Sequence, residues 1–339
     1  MKTAIEPEKA VLFDIAILRQ DMNGTLDSLF ARLQAAVPPR CLLVSTLNVD
    51  FVVNAIPVFF HRGNPDLWRV LRNADLVTAD GMPLVVLSRL LGCRLPERVT
   101  GADMIYRLCE RAERENRSLY FLGGTGDSAI RAAEILRRRF PKLEIKGVDP
   151  AFVSLADDAA GRETNAAVCR RINAAGADIL LVGFGNPKQE LWLWRYRKEL
   201  QVGAAIGIGG TFNFVTGGVK RAPEWMRRSG LEWIYRIIQE PRRLWKRYGF
   251  GLIKFGALSA QIMAAEAVVC LIPKEGEISF RDEGNDIILD LGNVARLSNR
   301  LRLIVHDLRC RADLRGGTLK FIKANPLVRW QLVAHKLQH

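Results

Sequence analysis

Residues 177–190 read Ala177-Asp178-Ile179-Leu180-Leu181-Val182-Gly183-Phe184-Gly185-Asn186-Pro187-Lys188-Gln189-Glu190, and residues 203–214 read Gly203-Ala204-Ala205-Ile206-Gly207-Ile208-Gly209-Gly210-Thr211-Phe212-Asn213-Phe214. Each is a short apolar run that breaks at glycine and gives way to a helical pattern. No polar alternation interrupts either run, which is how strands buried on both faces of a parallel sheet read. In such sheets each strand's C-terminal end feeds a turn and a helix. Two of these turns side by side make a ligand-binding edge, because backbone N–H groups and helix dipoles favour phosphate there.

Outward from this pair the same unit recurs. Residues 10–18 read as an opening strand, and 25–36 as a helix capped by Thr25. A buried strand over 41–46 ends in Thr46-Leu47-Asn48. After a loop at 57–66 and a helix over 67–72, a third strand at 74–79 ends in Asp80-Gly81-Met82-Pro83. A strand at 118–123 enters Gly124-Thr125-Gly126-Asp127, followed by helix 128–139, strand 144–148 and a helix from about 162 to 175. Strands alternating with helices at this spacing predict an α/β fold, a Rossmann-like and mostly parallel sheet with helices on both faces.

A chain of 339 residues with 49% hydrophobic content has room for one large α/β domain and a smaller unit. Its net charge of +14 and pI near 9.9 point to nucleic acid, anionic lipid or a phosphorylated substrate. Six cysteines without a C-x-x-C pair read as reduced thiols, not as a zinc site or a disulfide framework. Glu6, Glu8 and Asp14 precede any long apolar run, so no signal peptide is expected.

From Pro223 onward the pattern is helical and basic. Residues 219–254 hold ten Lys or Arg against three Glu, interleaved with Trp225, Met226, Leu231, Trp233, Ile234, Ile237 and Ile238. Tyr248 to Pro273 is mostly apolar but carries Lys254, Gln261 and Glu266, which disfavours a membrane-spanning helix. A helix lying in the membrane surface or docked on protein is expected instead. The last stretch predicts strands at 277–280, 286–291 and 318–322 and helices at 299–314 and 327–337. Three units follow: a core over 1–220, a basic helical appendage over 221–275 that associates with membrane, and a small C-terminal α/β domain over 276–339.

The order of these motifs, continuing through Arg221-Ala222-Pro223, Gly230-Leu231-Glu232-Trp233, Arg236 and Glu240-Pro241-Arg242-Arg243, resembles the WecG/TagA/CpsF glycosyltransferases (glycosyltransferase family 26) over roughly residues 10–248. The C-terminal segment, with Asp290-Leu291-Gly292-Asn293 and Gly316-Gly317-Thr318, is similar to a STAS-type domain. Where such domains often carry an Asp-Ser-Ser-Gly-like phosphorylation turn, this chain has Ser298-Asn299-Arg300, a departure that weakens the case for a phospho-switch.

The resemblance implies an inverting, metal-independent transfer of a sugar from a UDP-sugar donor to a polyprenyl-diphosphate-linked sugar acceptor. The sugar would be of the N-acetylmannosamine, mannosaminuronic acid or glucose class, and the product would feed a surface polysaccharide. It implies no cofactor, no nucleic acid, an anionic membrane surface as partner, a cytoplasmic location on the inner face of the bacterial plasma membrane, and compatibility with a homo-oligomer. The family's catalytic base falls on Asp80. A carboxylate suits that role because a sugar hydroxyl is a poor nucleophile until its proton is taken; the structural alternative is that Asp80 caps the next helix.

Thr46 and Asn48 match the family's Thr-x-Asn motif for donor or acceptor, the alternative being turn and capping chemistry. Arg98 matches an arginine for the diphosphate, which a guanidinium can pair bidentately. Gln189 matches a nucleotide- or sugar-contacting position, and Gly124, Gly185, Gly209 and Gly210 would let backbone approach the diphosphate. Asn213 stands where the family usually has aspartate, keeping hydrogen-bonding shape without charge.

The chain contains no Asp-x-Asp metal clamp. Arg236 and Arg243, seven residues apart, are therefore the candidates to meet the leaving group's charge if Pro241 only kinks their helix, with Lys246 and Arg247 as weaker ones. On this reading, removing 249–339 weakens membrane attachment but spares the chemistry. Two rivals remain. An NAD(P)-dependent Rossmann oxidoreductase is disfavoured because Gly207-Ile208-Gly209-Gly210-Thr211-Phe212 ends in Phe and not Gly. A non-enzymatic STAS-type regulator with a degenerate transferase is disfavoured by the intact Thr46, Asp80, Arg98, Gln189 and Arg236 set.

Overall fold

A computed structural model describes residues 9–35, 41–58, 62–239, 241–269 and 278–337, without the side chains of Arg228, Arg243, Lys246, Arg247, Val268 and Val269. Its centre is a six-stranded, all-parallel sheet. The strands are β3 (Leu42–Leu47), β4 (Leu76–Ala79), β5 (Leu119–Gly123), β6 (Ile145–Asp149), β7 (Ile179–Gly183) and β8 (Ala204–Gly207), in the order β4-β3-β8-β7-β5-β6. The central strands β3, β5 and β8 are buried at every position, as their unbroken apolar runs predict. Helices cover the sheet, among them α5 (Gly101–Arg114), α6 (Ser128–Arg139), α7 (Ala159–Ala175) and α8 (Lys188–Tyr196). One apolar cluster gathers Leu108, Phe121, Leu181 and Phe212, and another gathers Leu122, Leu180, Val182 and Trp192. The α/β parallel-sheet expectation holds.

The opening segment differs from the expected single strand. It is a hairpin, β1 (Lys9–Leu12) and β2 (Ile15–Leu18), turning at Phe13 and Asp14, whose φ angles of 56° and 57° are left-handed. Both faces are buried, so no polar alternation betrayed the turn. Ala10, Leu12, Ile15 and Ile17 pack on the core side, while Val11 and Ala16 join the C-terminal cluster. The first helix, α1 (Met22–Ala35), begins earlier than expected. Asp21, not Thr25, supplies the cap by accepting from the Gly24 amide at 2.7 Å.

The appendage is three helices, α10 (Glu224–Arg228), α11 (Glu232–Gln239) and α12 (Pro241–Val269). Pro241 starts a new helix, so Arg236 and Arg243 do not share one helix face. The α12 helix docks on protein: Phe255, Leu258 and Ile262 are buried with Phe51, Val52 and the hairpin. Among the described residues no helix is long and apolar enough to cross a membrane. Docking overturns the expectation that 249–339 is dispensable for chemistry. A chain cut before residue 249 loses Phe255, Leu258 and Ile262, each worth roughly 2–5 kcal/mol, together with the buried C-terminal cluster, against a total stability of about 5–15 kcal/mol. Such a truncation should aggregate or lack a cooperative melt, and a sharp wild-type transition in that variant would contradict this packing.

The C-terminal unit holds β9 (Ser279–Glu283), β10 (Asp286–Asp290) and β11 (Leu319–Ile322), in the order β11-β10-β9, with α13 (Asn299–Leu314) and α14 (Pro326–Ala334). Ser298 caps α13 by accepting from the Leu301 amide at 3.3 Å. Buried ion pairs are among the ties between this unit and the core. Asp14, fully buried, meets Arg72 at 3.1 Å, His306 at 3.3 Å and Arg309 at 3.3 Å. Glu266 of α12 meets Arg302 and His335.

Candidate active site

The sheet order brings the C-terminal ends of β4, β3, β8, β7 and β5 into one line, and a cleft of about 520 Å³ opens above them. Asp80, Thr46, Asn48, Gly209, Gly210, Gly185 and Gly124 line it from strand ends or the turns that follow, and Gln189 from the first turn of α8. Arg98, Asn213 and Arg236 complete the set. Of the expected site residues, Arg243 alone lies outside the described side chains, as do the weaker candidates Lys246 and Arg247.

Asp80 sits one residue beyond β4, where its amide donates to the Leu47 carbonyl at 2.7 Å. It does not cap the next helix. The cap position of α4 (Met82–Leu90) is Gly81, with no side-chain bond. Burial pushes the Asp80 carboxyl up to about 7, with Glu232 and Asp103 adding to the rise and Arg98 and the Gly101 amide opposing it. A carboxyl raised toward neutral pH is a stronger base than a free one, which suits a general base.

Several expected contacts are already in use within the protein. Asn48 caps α2 (Val49–Ala55), accepting from the Phe51 amide at 3.3 Å. The Thr46 hydroxyl donates to the Gly207 carbonyl at 3.3 Å. Gln189 is 2% exposed. Its Oε1 accepts from the amides of Gly185 and Gly209, both at 3.0 Å, so one side chain fastens the β7 and β8 turns together. Its Nε2 donates to Glu190 Oε1 at 2.6 Å, and burial pushes the Glu190 carboxyl up to about 8. Gly207 must be glycine for this arrangement, since a Cβ there would stand 2.5 Å from Gln189 Nε2. Gln189 thus shapes the glycine edge from beneath.

The cleft's open side is electrostatic. Arg98 Nη1 donates to Glu232 Oε2 at 2.9 Å, and Arg221 Nε donates to Glu232 Oε1 at 3.1 Å. Arg221 also pairs with Asp103 at 2.8 Å and 3.3 Å. Burial pushes Asp103 up, but Arg221 and Thr100 outweigh it and hold the carboxyl below its usual range. Arg236 lies with its guanidinium 5.5 Å from the Phe214 ring centre, and its Nε has no hydrogen-bond partner among the described residues. Arg221 and Glu232 are site residues that sequence reasoning quoted only as motif letters. Charge pattern alone does not pair side chains more than a hundred positions apart.

A carboxylate base at the floor, a glycine-turn edge and three arginines facing one cleft fit a reaction that deprotonates a hydroxyl and releases a phosphate-bearing group. Residues 10–266 match the Glycosyl transferase WecG/TagA/CpsF family. An N-acetylglucosaminyldiphosphoundecaprenol N-acetyl-beta-D-mannosaminyltransferase from Bacillus spizizenii is 33% identical over 199 residues, 58% of this chain and 74% of that protein. A protein of the same name from Bacillus subtilis is 31% identical over 205 residues, 60% of this chain and 74% of its own length. The oxidoreductase and non-enzymatic readings fall away, and the chain belongs to the WecG/TagA/CpsF family of glycosyltransferases.

Proposed function

We propose that this enzyme transfers N-acetylmannosamine, or a close relative of it, from a UDP-sugar to a sugar carried on a polyprenyl diphosphate. The observation that carries the reading is Asp80, raised to about 7 at a strand end and facing the same cleft as Arg98, Arg221 and Arg236. The carboxylate accepts the proton of the acceptor hydroxyl as that oxygen bonds to the donor's anomeric carbon. On the opposite face the bond from that carbon to the UDP β-phosphate oxygen breaks, and the electron pair leaves with UDP. Attack and departure on opposite faces invert the anomeric centre. The developing negative charge falls toward the arginines, where a preorganised cation in a water-poor cleft is effective.

Exposed Trp225, Ile238, Trp245, Phe250 and Ile253 on α10–α12, beside Arg242, support attachment to an anionic lipid surface. That would hold the enzyme on the inner face of the plasma membrane, next to a lipid-borne acceptor. The test is a panel of UDP-sugars offered with a short-chain lipid-diphosphate N-acetylglucosamine, followed by UDP release and product mass. UDP-N-acetylmannosamine should be the best donor. No transfer from any UDP-sugar would end the proposal.

Metal independence is the companion expectation. With arginines supplying the countercharge and no Asp-x-Asp in the chain, EDTA should leave the rate unchanged. Loss of activity on chelation, restored by Mg²⁺ or Mn²⁺, would show that a metal and not the arginines receives the leaving charge.

A further inference from the structure

The α11 helix has no buried residue, although Glu232, Trp233 and Arg236 all line the cleft. Trp233, Ile234 and Ile237 are only half-buried, so apolar burial alone seats it weakly. Besides the Gln239 bond to the Lys220 carbonyl and the stacking of Arg236 over Phe214, what joins it is Glu232, the one carboxylate of α11. Each of its oxygens takes one guanidinium, Arg98 at 2.9 Å and Arg221 at 3.1 Å. Arg221 is held from behind by Asp103 of α5, and Asp103 by the Thr100 hydroxyl at 2.8 Å. Glu232 itself is 13% exposed, so water screens these pairs little. Four residues on, Arg236 shares its helix face, so whatever fixes Glu232 also fixes the height of Arg236 over the cleft.

We infer that Glu232 is a positioning residue for the transfer: its carboxylate seats α11 on the core and holds the Arg98 and Arg221 guanidinia where the donor's diphosphate meets them. The inference rests on the transferase reading. It opposes the view that Glu232 merely occupies the anion site until substrate displaces it. Asp80 offers an independent readout, because the charged or polar groups facing it are Arg98, Glu232, Asp103 and the Gly101 amide. Glu232 works against ionisation of Asp80, so removing its charge makes Asp80 a base at lower pH. A purely structural role would lower the rate equally across the pH range.

The experiment compares wild type with Glu232→Gln in three measurements: hydrogen exchange of residues 232–239 without ligand, UDP affinity, and the pH profile of kcat/KM. Glu232→Gln should lose protection in α11 and bind UDP roughly 10–100-fold more weakly, the scale of hydrogen bonds to a charged group. The acidic limb of its pH profile should move about half to one pH unit lower. If Glu232→Gln fails to fold, Glu232→Asp is read instead, with weaker UDP binding and an unmoved limb expected. Unchanged exchange in α11, tighter UDP binding or an unmoved limb in folded Glu232→Gln, or wild-type UDP affinity in Glu232→Asp, would overturn the assignment. The exchange measurement needs no donor, so it stands or falls even if every UDP-sugar proves inert and the transferase reading itself fails.

Discussion

Asp80→Asn keeps the fold and UDP binding but slows transfer roughly 10²–10⁴-fold, the contribution of a positioned general base. The carboxamide preserves the shape at the end of β4 and cannot take a proton. In the wild type, kcat/KM should rise as pH increases through about 7, where the Asp80 carboxylate forms; in the variant that limb should vanish. Stability gives a second check. A carboxyl raised in the folded state penalises folding once pH exceeds its unfolded value, about 3.9, and the penalty is complete above the folded value. Asp80→Asn should therefore melt above wild type at pH 8, with the gap closing as pH falls through 7 toward 4. Near wild-type turnover, or a retained limb near pH 7, would remove Asp80 from the role of base.

Arg236→Ala should lower kcat on a water-soluble acceptor roughly 10²–10³-fold, taking the loss of one oxyanion donor as the guide. Arg236 lines the cleft over Phe214, which puts its side chain where a donor's phosphate oxygens would lie. Lipid attachment should respond differently. Surface attraction is worth about 1 kcal/mol per basic residue, and nine of the ten Lys or Arg between 219 and 254 remain. Liposome co-sedimentation measured beside turnover separates the two roles. Normal turnover with the soluble acceptor would make Arg236 an anchor residue only.

Much of this was legible because strand ends in a parallel sheet announce themselves. The runs closing at Thr46, Asp80, Gly124, Gly185 and Gly209 are apolar on both faces and break sharply, so their alignment along one edge followed from the class of sheet. The same apolarity hid the hairpin: residues 9–18 are buried from two sides, and Phe13-Asp14 carries no Asn-Gly or Gly signal for its turn. Asn48 illustrates a different limit, since a residue type common in both caps and binding sites is assigned only once the Phe51 amide is seen to use it. Glu232 shows the third. Its partners Arg98 and Arg221 come from separate loops, and local charge spacing cannot tell a carboxylate that docks a helix from one that faces water. The helix α12 was ambiguous for the same reason, its apolar residues fitting lipid or protein equally until Phe255, Leu258 and Ile262 found the hairpin.

The Asp14 cluster has a consequence for biosynthesis. A ribosome completes Arg72 soon after the hairpin, but His306 and Arg309 emerge almost three hundred residues after Asp14. Until then Val11 and Ala16 lack the C-terminal cluster that covers them, and the Asp14 carboxylate stays hydrated, because burying it with only part of its countercharge would be costly. Domains elsewhere often finish in order of synthesis. Here the first strands to be made should be among the last to reach their final packing, and hydrogen-exchange labelling of residues 9–18 during refolding should show them protected no earlier than residues 299–314.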